Sequence, residues 1–317
     1  MFSEKGFSVK KVIDSYERVT VLSHINPDGD TIGTALGLYN LLKAEGKQVE
    51  VVNADKALPL QLDFLPNFSK IKDKIDFEDS LIIACDASSI ERFGFDIESR
   101  DILNVDHHKS NRGFGLYNVV EPNAVSASQV AFNLFDREYN LGIDVATCFY
   151  TALVSDSQYF TTNNVNKEVF DVASDMIAYG IDISKVAYNL NQRRSLSSLR
   201  IVASTLATLS LYLDGRVSVM VVDKESMKAS GATYNDTLGI VNYGISLVTV
   251  KISILLMELD GVVRVSMRSD KQIDISTLAI ELGGGGHKNA SGFESKTKGK
   301  EDILDILITK IKEMDLL

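Results

Sequence analysis

The chain has 317 residues, of which 45% are hydrophobic, and a formal net charge of −10 at pH 7. This length and composition are enough to bury a large core and predict two domains. The negative charge argues against a broad electrostatic grip on long nucleic acid, because each phosphate contact needs its own Lys or Arg. A short anionic substrate is still compatible with it.

Membrane spans and disulfides are not expected from the sequence. No apolar run approaches the ~20 residues that cross a bilayer, and the first residues lack the basic-then-apolar pattern of a signal peptide. The two cysteines, Cys85 and Cys148, lie inside apolar runs, which predicts buried thiols rather than a disulfide framework. We therefore expect a cytoplasmic protein without a membrane partner.

Short apolar strands alternate with helices in the first half of the chain. Strands are predicted at 19–23, 49–53, 81–86 and 102–106, and helices at 31–44, 127–139, 143–155 and 167–179. The strands are continuously apolar, which is typical of a parallel sheet covered by helices on both faces. The predicted fold class is therefore α/β.

The pattern changes near residues 180–200, where Gly180 and a Ser-rich patch interrupt a helical run. We place the domain boundary there, which gives domains 1–190 and 191–317. Beyond the boundary, strands are predicted at 217–222, 248–256 and 262–268, and helices at 275–281 and 302–312. This order predicts a smaller α+β domain.

Side chains that bind metals or protons follow several of the predicted strands. His24, Asp28 and Asp30 follow the first strand, Asp86 ends the third, and the triplet Asp106-His107-His108 closes the fourth, while Asp156 ends a helical run. The carboxyl ends of parallel strands meet at one edge of a sheet, where ligands bind. Carboxylates gathered there would repel one another unless cations neutralised them.

The ligand types narrow the choice of metal. Carboxylate and imidazole without thiolate favour Mn²⁺, with Mg²⁺, Co²⁺ and Fe²⁺ as alternatives, over structural Zn²⁺. Six candidate ligands exceed the needs of one ion, and a pair of ions ~3.5–4 Å apart is the usual device for phosphoryl hydrolysis. Taken singly, the His24 cluster also fits a helix cap with a surface histidine, and the triplet fits a solvated loop.

A second group of candidates lies in the predicted α+β domain. Arg264, Ser266 and Arg268 alternate with apolar residues, so one face of that strand is polar and basic. The run Gly283–Gly286, followed by His287, fits either a helix C-cap or an anion nest of consecutive backbone N–H groups. The two features together favour phosphate binding in this domain.

These motifs resemble the DHH phosphoesterase superfamily. In the first domain the resemblance lies in Asp106-His107-His108, the His24-x-x-x-Asp28-x-Asp30 cluster, Asp86 and Asp156. In the second domain, Ser266-Met267-Arg268-Ser269 and Gly283–His287 resemble the DHH-associated C-terminal domain of the superfamily. The resemblance implies that His24, Asp28 and Asp86 hold one Mn²⁺ ion and that Asp30, Asp86, His107 and Asp156 hold the other, with Asp86 as the bridge.

The resemblance also implies roles for the remaining residues. Asp106 would orient the adjacent histidine, and His108 would face the phosphoryl group or the leaving oxygen. From strand geometry we expect the two histidine rings to lie on opposite sides of the strand. Ser266, Arg268, Gly285, Gly286 and His287 would bind the rest of the substrate, in a cleft between the domains. Where the family often has Thr-Gly and an aromatic residue after the last aspartate, this chain has Ser157-Gln158-Tyr159-Phe160.

The function implied is hydrolysis of very short nucleic acids. The expected substrates are short single-stranded RNA or DNA oligonucleotides, from which nucleoside 5′-monophosphates are released, and pAp (adenosine 3′,5′-bisphosphate), which is dephosphorylated. Turnover of cyclic dinucleotides, as c-di-AMP or pApA, is the alternative among enzymes, and a non-catalytic nucleotide sensor is the alternative of another class. A homodimer is left open.

Overall fold

The structure is a computed structural model, and it describes residues 8–317. The chain divides into two compact units, the first ending at Arg193 and the second spanning Arg194–Leu317. Among the described residues, no helix is both long and apolar enough to cross a membrane. Each unit has its own hydrophobic core.

The described residues of the first unit form a six-stranded sheet in the order β3-β2-β1-β4-β5-β6. Every neighbouring pair in it is parallel. The strands are β1 (Arg18–Ser23), β2 (Gln48–Val52), β3 (Ile71–Lys72), β4 (Leu81–Cys85), β5 (Ile102–Asp106) and β6 (Tyr117–Val120). Strands β4 and β5 are buried at every position, as expected for continuously apolar strands covered on both faces.

Six α-helices accompany this sheet in the described residues of the first unit. They are α1 (Val9–Asp14), α2 (Gly29–Ala44), α3 (Ala127–Phe135), α4 (Ile143–Asp156), α5 (Lys167–Ala178) and α6 (Ile183–Ala187). Helix α2 is buried from Gly29 to Leu42, because it lies between the sheet and helix α4. A helix that is buried on all sides carries no polar face, and the sequence of α2 is accordingly apolar around its circumference.

Glycines set the contact between α2 and α4. A Cβ atom on Gly33 would lie 2.7 Å from the carbonyl oxygen of Cys148, and one on Gly37 would lie 2.3 Å from the ring of Phe149. At the start of α2, a Cβ on Gly29 would meet the Ser155 hydroxyl at 2.3 Å. The backbone of α2 therefore lies directly against α4, with the beginning of α2 against the end of α4.

The second unit, all of whose residues are described, contains a six-stranded mixed sheet in the order β11-β12-β10-β9-β8-β7. Its strands are β7 (Ser210–Tyr212), β8 (Val217–Asp223), β9 (Ile252–Leu259), β10 (Val262–Ser269), β11 (Gly285–His287) and β12 (Ala290–Ser295). Its helices are α7 (Leu196–Ala207), α8 (Lys224–Ser230), α9 (Tyr234–Thr237), α10 (Val241–Ile245), α11 (Ser276–Glu281) and α12 (Lys300–Glu313). Only β8 and β9 pair in parallel.

The α/β fold class is confirmed, and the short strands β3, β6, β7, β11 and β12 are additional to those predicted from the sequence. The strand expected at 248–256 runs from Ile252 to Leu259, because its register is set by pairing with β8, where Val217 faces Ile252. Val248 lies outside it and is 98% exposed. Strand β6 was not predicted, since it is short and only one of its four residues is fully buried.

Candidate functional site

His24 directly follows β1 and is held on both sides of its backbone. Its N–H donates to the Thr31 hydroxyl (3.1 Å), and its carbonyl accepts from the Asn53 side-chain amide (2.8 Å). Ring atom Nδ1 lies 2.8 Å from the carbonyl oxygen of Ile25, which can only accept. Nδ1 therefore carries a proton, and Nε2, 3.5 Å from Asp86 Oδ2, presents its lone pair to the centre in the neutral ring.

Asp28 and Asp30 stand at the start of α2. Oδ1 of Asp28 accepts the backbone N–H groups of Asp30 (3.0 Å) and Thr31 (3.1 Å), as an N-cap. Asp30 is buried, and its carboxylate accepts the N–H groups of Ala127 (2.7 Å) and Ser128 (3.2 Å) in the first turn of α3. The helix N-terminus stabilises negative charge there, which fixes the orientation of Asp30.

Asp86 is the centre of the cluster. It follows β4 with φ 61°, a left-handed conformation that non-glycine residues adopt mainly at functional sites or turns. The residue is 3% exposed, and among the described residues Oδ1 has no hydrogen-bond partner. His107 Nε2 lies 3.4 Å and His108 Nδ1 lies 3.7 Å from this oxygen. A buried carboxylate oxygen without a partner needs a cation or a water.

Asp106 is fully buried and orients His108. Its Oδ1 accepts from His108 Nδ1 at 2.7 Å, and its Oδ2 accepts from the Asn111 side-chain amide at 2.7 Å. The expectation that Asp106 orients the adjacent His107 is therefore wrong. His107 Nδ1 instead lies 3.3 Å from the Ala124 carbonyl oxygen, which leaves Nε2 to face the carboxylates.

The expectation that the two histidine rings lie on opposite sides is also wrong. The ring centroids of His107 and His108 are 4.8 Å apart, and both rings approach Oδ1 of Asp86. The strand ends at Asp106, so the alternation of side chains no longer applies to the two residues that follow it.

The six expected metal ligands come together. Their ligand atoms form overlapping groups within 4.8 Å, namely His24, Asp28 and Asp86; Asp30, His107 and Asp156; and Asp86, Asp106, His107 and His108. The first two groups contain all six residues and no other. His107 connects them, because its Nε2 lies 3.4 Å from Asp86 Oδ1, 3.5 Å from Asp156 Oδ2 and 3.9 Å from Asp30 Oδ2.

The charges in the cluster perturb one another. Burial would raise the pKa of Asp86, but the neighbouring His107 and His24 side chains lower it to about 2. Burial would lower the pKa of His107, but Asp86, Asp30 and Asp156 raise it to about 10. Desolvation outweighs the attraction of His107 and raises the pKa of Asp156 to about 7.

These pKa directions show a centre with excess negative charge. Bound cations would compensate this excess of negative charge. The donor set of carboxylate oxygens and imidazole nitrogens, together with the unpartnered Oδ1 of Asp86, fits divalent ions. Cys85 is not among the ligand groups; its thiol is buried in the core.

The predicted substrate residues of the second unit share one face of its sheet. Arg268 on β10 and His287 on β11 both pair with Ala290 of β12, and Ser266 and Gly285 both pair with Gly292. Residues in one cross-strand row point to the same face. The small Ala290 and Gly292 therefore separate Ser266 and Arg268 from His287 with little side-chain bulk.

Arg268 is a desolvated cation. Burial lowers its pKa, and its Nη1 donates to the carbonyl oxygen of Met267 at 3.0 Å. Within residues 8–317, Arg268 makes no ion pair with a carboxylate. Arg264 on the same strand differs, since its Nε is paired with Glu294 at 2.7 Å. Of these two arginines, Arg268 is the one left to bind an anion.

The glycine run has two structural roles. The N–H groups of Gly283 and Gly284 donate to the carbonyls of Ile280 (3.0 Å) and Ala279 (2.8 Å), which caps helix α11. Residues Gly285–His287 form the edge strand β11. Of the two alternatives left by the sequence, the helix C-cap is observed at Gly283 and Gly284, and a nest of four consecutive free N–H groups is excluded because two of these groups are used by the cap.

The departure at Gln158 places non-glycine residues in a left-handed turn. Gln158, Tyr159 and Phe160 have φ values of 47°, 59° and 62°, directly after Asp156 and Ser157. Glycine adopts this conformation without steric cost, whereas a residue with a Cβ atom adopts it only at a steric cost. The turn is closed by the N–H of Tyr159, which donates to the Val154 carbonyl at 2.9 Å.

Sequence reasoning did not include Asn111. Its side-chain amide connects Asp106 to the Ala87 carbonyl (3.1 Å) and to Asn104 (3.2 Å). A signal was present, because Asn104 interrupts the apolar strand β5 and is completely buried there. A buried amide must be hydrogen-bonded, which predicts a polar network behind the triplet.

Comparisons with known proteins agree with the geometry. Residues 18–153 match the DHH family, N-terminal domain, and residues 214–313 match the DHHA1 domain. A bifunctional oligoribonuclease and PAP phosphatase NrnA of Thermus thermophilus is 30% identical over 98% of this chain and 94% of its own length. The chain belongs to the DHH phosphoesterase family. It is therefore a hydrolase, and the family is metal-dependent.

Two further DHH relatives are informative. A cyclic-di-AMP phosphodiesterase PdeA of Listeria monocytogenes is 25% identical and covers 91% of this chain, whereas this chain covers 46% of that protein. The crystal structure of an exopolyphosphatase-related protein from Bacteroides fragilis is 28% identical, with a TM-score of 0.87 over 96% of this chain and 95% of that chain. The fold is thus shared along both units.

Proposed function

We propose that this phosphoesterase releases nucleoside 5′-monophosphates from short oligonucleotides and dephosphorylates pAp. In this proposal domain 1–190 is catalytic and domain 191–317 binds the substrate. The observation that carries the proposal is the buried, unpartnered Oδ1 of Asp86 at the junction of two ligand groups. The relative from Thermus thermophilus, whose name states both activities, supports the choice of substrate.

In this proposal His24, Asp28 and Asp86 would hold one Mn²⁺ ion, and Asp30, His107 and Asp156 would hold the other, with Asp86 as the shared ligand. When bound, such ions stabilise the charge that develops on a phosphoryl group and make water a better nucleophile at neutral pH. The chain's own contribution is to fix the ligands in advance, since Asp30 is held by the start of α3 and His24 by Asn53.

His108 is proposed as the proton donor to the leaving oxygen. Its Nδ1 is held by Asp106, so Nε2 points away from that carboxylate. The hydrogen bond that His108 donates to Asp106 also raises the pKa of His108, which favours the protonated ring that a general acid requires. The side-chain amide of Asn111 donates to the second oxygen of Asp106 and thereby fixes the orientation of the carboxylate that holds His108.

The second domain is proposed to bind the rest of the nucleotide. Arg268 supplies an unpaired guanidinium, which forms forked hydrogen bonds to phosphate. Ser266 and His287 share its face of the sheet, and the backbone of Gly285 and Gly286 lies beside them without side chains. A substrate of a few nucleotides needs few such contacts, which is consistent with the net charge of −10.

The test compares four substrates on one preparation supplied with Mn²⁺, namely pAp, a pentaribonucleotide, pApA and c-di-AMP. We expect the pentanucleotide and pAp to be hydrolysed with the higher kcat/KM values. Preferential turnover of c-di-AMP would replace the proposal with the cyclic-dinucleotide activity named for the Listeria relative. Tight binding of nucleotides without any turnover would replace it with a nucleotide sensor.

A further inference from the structure

Arg92 stands beside the metal-ligand cluster on a fixed backbone. It belongs to a single helical turn, Ile90–Phe93, in which Phe93 is fully buried. Its carbonyl oxygen accepts the N–H of Ile25 at 2.8 Å. The following Gly94 closes the turn with φ 72°, and a Cβ there would press on Ala54 and Ile25 at 3.0 Å.

The side chain of Arg92 is exposed, and its guanidinium reaches His24. Nη2 lies 3.3 Å from Nδ1 of His24. That nitrogen already faces the Ile25 carbonyl at 2.8 Å and must donate to it, so it has no lone pair to offer Arg92. The two nitrogens are therefore neighbours without a hydrogen bond between them.

Arg92 also lacks a carboxylate partner. Between Ser8 and the C-terminus, no Asp or Glu oxygen lies within ion-pair distance of its guanidinium. The donors of this cation are thus uncommitted, although it sits one imidazole ring away from the proposed ligand atom Nε2. A cation placed in this way next to a metal-ligand cluster is suited to bind an anion held at that cluster.

We propose that Arg92 binds a non-bridging oxygen of the phosphoryl group that reacts. This inference rests on the proposed function, since it assumes that a phosphate ester is held at the ligand cluster. Phosphoryl transfer is accelerated by positive charge on the oxygens of the transferred group. Arg92 supplies that charge from the first unit, independently of Arg268.

The test variant is Arg92→Gln, compared with Arg92→Lys and with Arg137→Gln. Arg137 is an exposed arginine of the same unit, just beyond the end of α3, so its loss changes the net charge equally. With Mn²⁺, Arg92→Gln should lower kcat/KM for both bis-p-nitrophenyl phosphate and pAp by at least about tenfold. Arg92→Lys should retain part of the activity, because lysine keeps the positive charge but cannot form the two parallel hydrogen bonds of a guanidinium.

Two measurements separate this role from a structural one. By calorimetry, inorganic phosphate should bind to the Mn²⁺-loaded Arg92→Gln protein at least about tenfold more weakly than to wild type. The Mn²⁺ content of the variant should be unchanged. Loss of Mn²⁺ in step with activity would instead make Arg92 a positioning residue for His24, and would overturn the proposal.

The remaining outcomes are also decisive. Normal phosphate affinity and normal turnover of bis-p-nitrophenyl phosphate in Arg92→Gln would refute the contact. If wild type cleaves bis-p-nitrophenyl phosphate but neither pAp nor oligonucleotides, the proposed substrates are wrong, while the comparison of Arg92 variants on the aryl ester still holds. If wild type cleaves none of them, the phosphate affinity of Arg92→Gln relative to wild type still shows whether Arg92 binds a phosphoryl oxygen.

Discussion

Replacing Asp86 tests the two-ion centre most directly, and asparagine is the substitution to use. Asp86 has φ 61°, which asparagine tolerates far better than alanine does. Asp86→Asn therefore removes the negative charge and preserves the shape and the backbone. Asp86→Ala would combine loss of a ligand with backbone strain.

The expected loss follows from the distances in the site. The ligand atoms of each group lie within 4.8 Å of one another, so an ion held among them is less than about 4 Å from Asp86. Opposite unit charges about 4 Å apart attract by about 4 kcal/mol at an effective dielectric constant of about 20. Asparagine offsets part of this loss, because its amide dipole still attracts the ion and a neutral amide costs less to desolvate than a carboxylate. We expect Mn²⁺ affinity to fall by at least about a hundredfold, which corresponds to about 2.8 kcal/mol.

The assay is calorimetric titration of chelator-treated protein with Mn²⁺, followed by turnover of bis-p-nitrophenyl phosphate at each Mn²⁺ concentration. Asp171→Asn is the matched control, because Asp171 lies on the exposed surface of α5 in an ion pair with Lys167. It should behave as wild type. An affinity of Asp86→Asn within tenfold of wild type, or full turnover after chelation, would refute the shared-ligand hypothesis.

Four other predictions follow from the same geometry. His107→Gln should lower Mn²⁺ content by elemental analysis, whereas His108→Gln should keep the metal and lose turnover; equal metal loss would contradict the assigned roles. Arg268→Ala should lower kcat/KM for pAp at least about tenfold and spare bis-p-nitrophenyl phosphate, and equal losses on both would move Arg268 to the metal centre or the fold. Gln158→Gly should raise the free energy of unfolding in urea by about 1 kcal/mol, since the left-handed turn costs a Cβ residue more than glycine's extra chain entropy; a lower urea midpoint would count against the turn. Without metal, the folded-state pKa of His107 is about 10 against an ordinary value of 6.5, so its stabilising contribution is complete below pH 6.5 and is lost towards pH 10; thermal scans of chelated wild type should show this fall, and an equal fall in His107→Gln would exclude His107 as its source.

The parallel sheet was predictable because its strands bury both faces. Strands β1, β2, β4 and β5 are continuously apolar, and this pattern located each of them to within a residue or two. The same signal was absent from β6, which is only partly buried, and from β11, which consists of two glycines and an exposed histidine. Edge strands of this kind are defined by their partners and not by their own composition.

The proximity of the candidate ligands was predictable from the sequence, and their hydrogen bonds were not. The rule that ligands bind at the carboxyl ends of parallel strands brought Asp86 and the triplet at Asp106 to one edge. It could not show which histidine Asp106 holds, because both histidines lie beyond the strand, where the chain turns and alternation ends. Only the folded positions show that Asp106 holds His108 at 2.7 Å.

The distance between Asp30 and Asp156 depends on a feature that no ligand motif contains. These carboxylates lie on different helices, at the beginning of α2 and the end of α4. The two helix ends meet because Gly29, Gly33 and Gly37 repeat every four residues along one face of α2, where any Cβ would lie within 2.8 Å of α4. Larger residues there would push α4 outward and carry Asp156 away from His107, which now lies 3.5 Å from it. The glycine stripe in the core therefore sets the spacing of the ligand group as directly as the ligands themselves do.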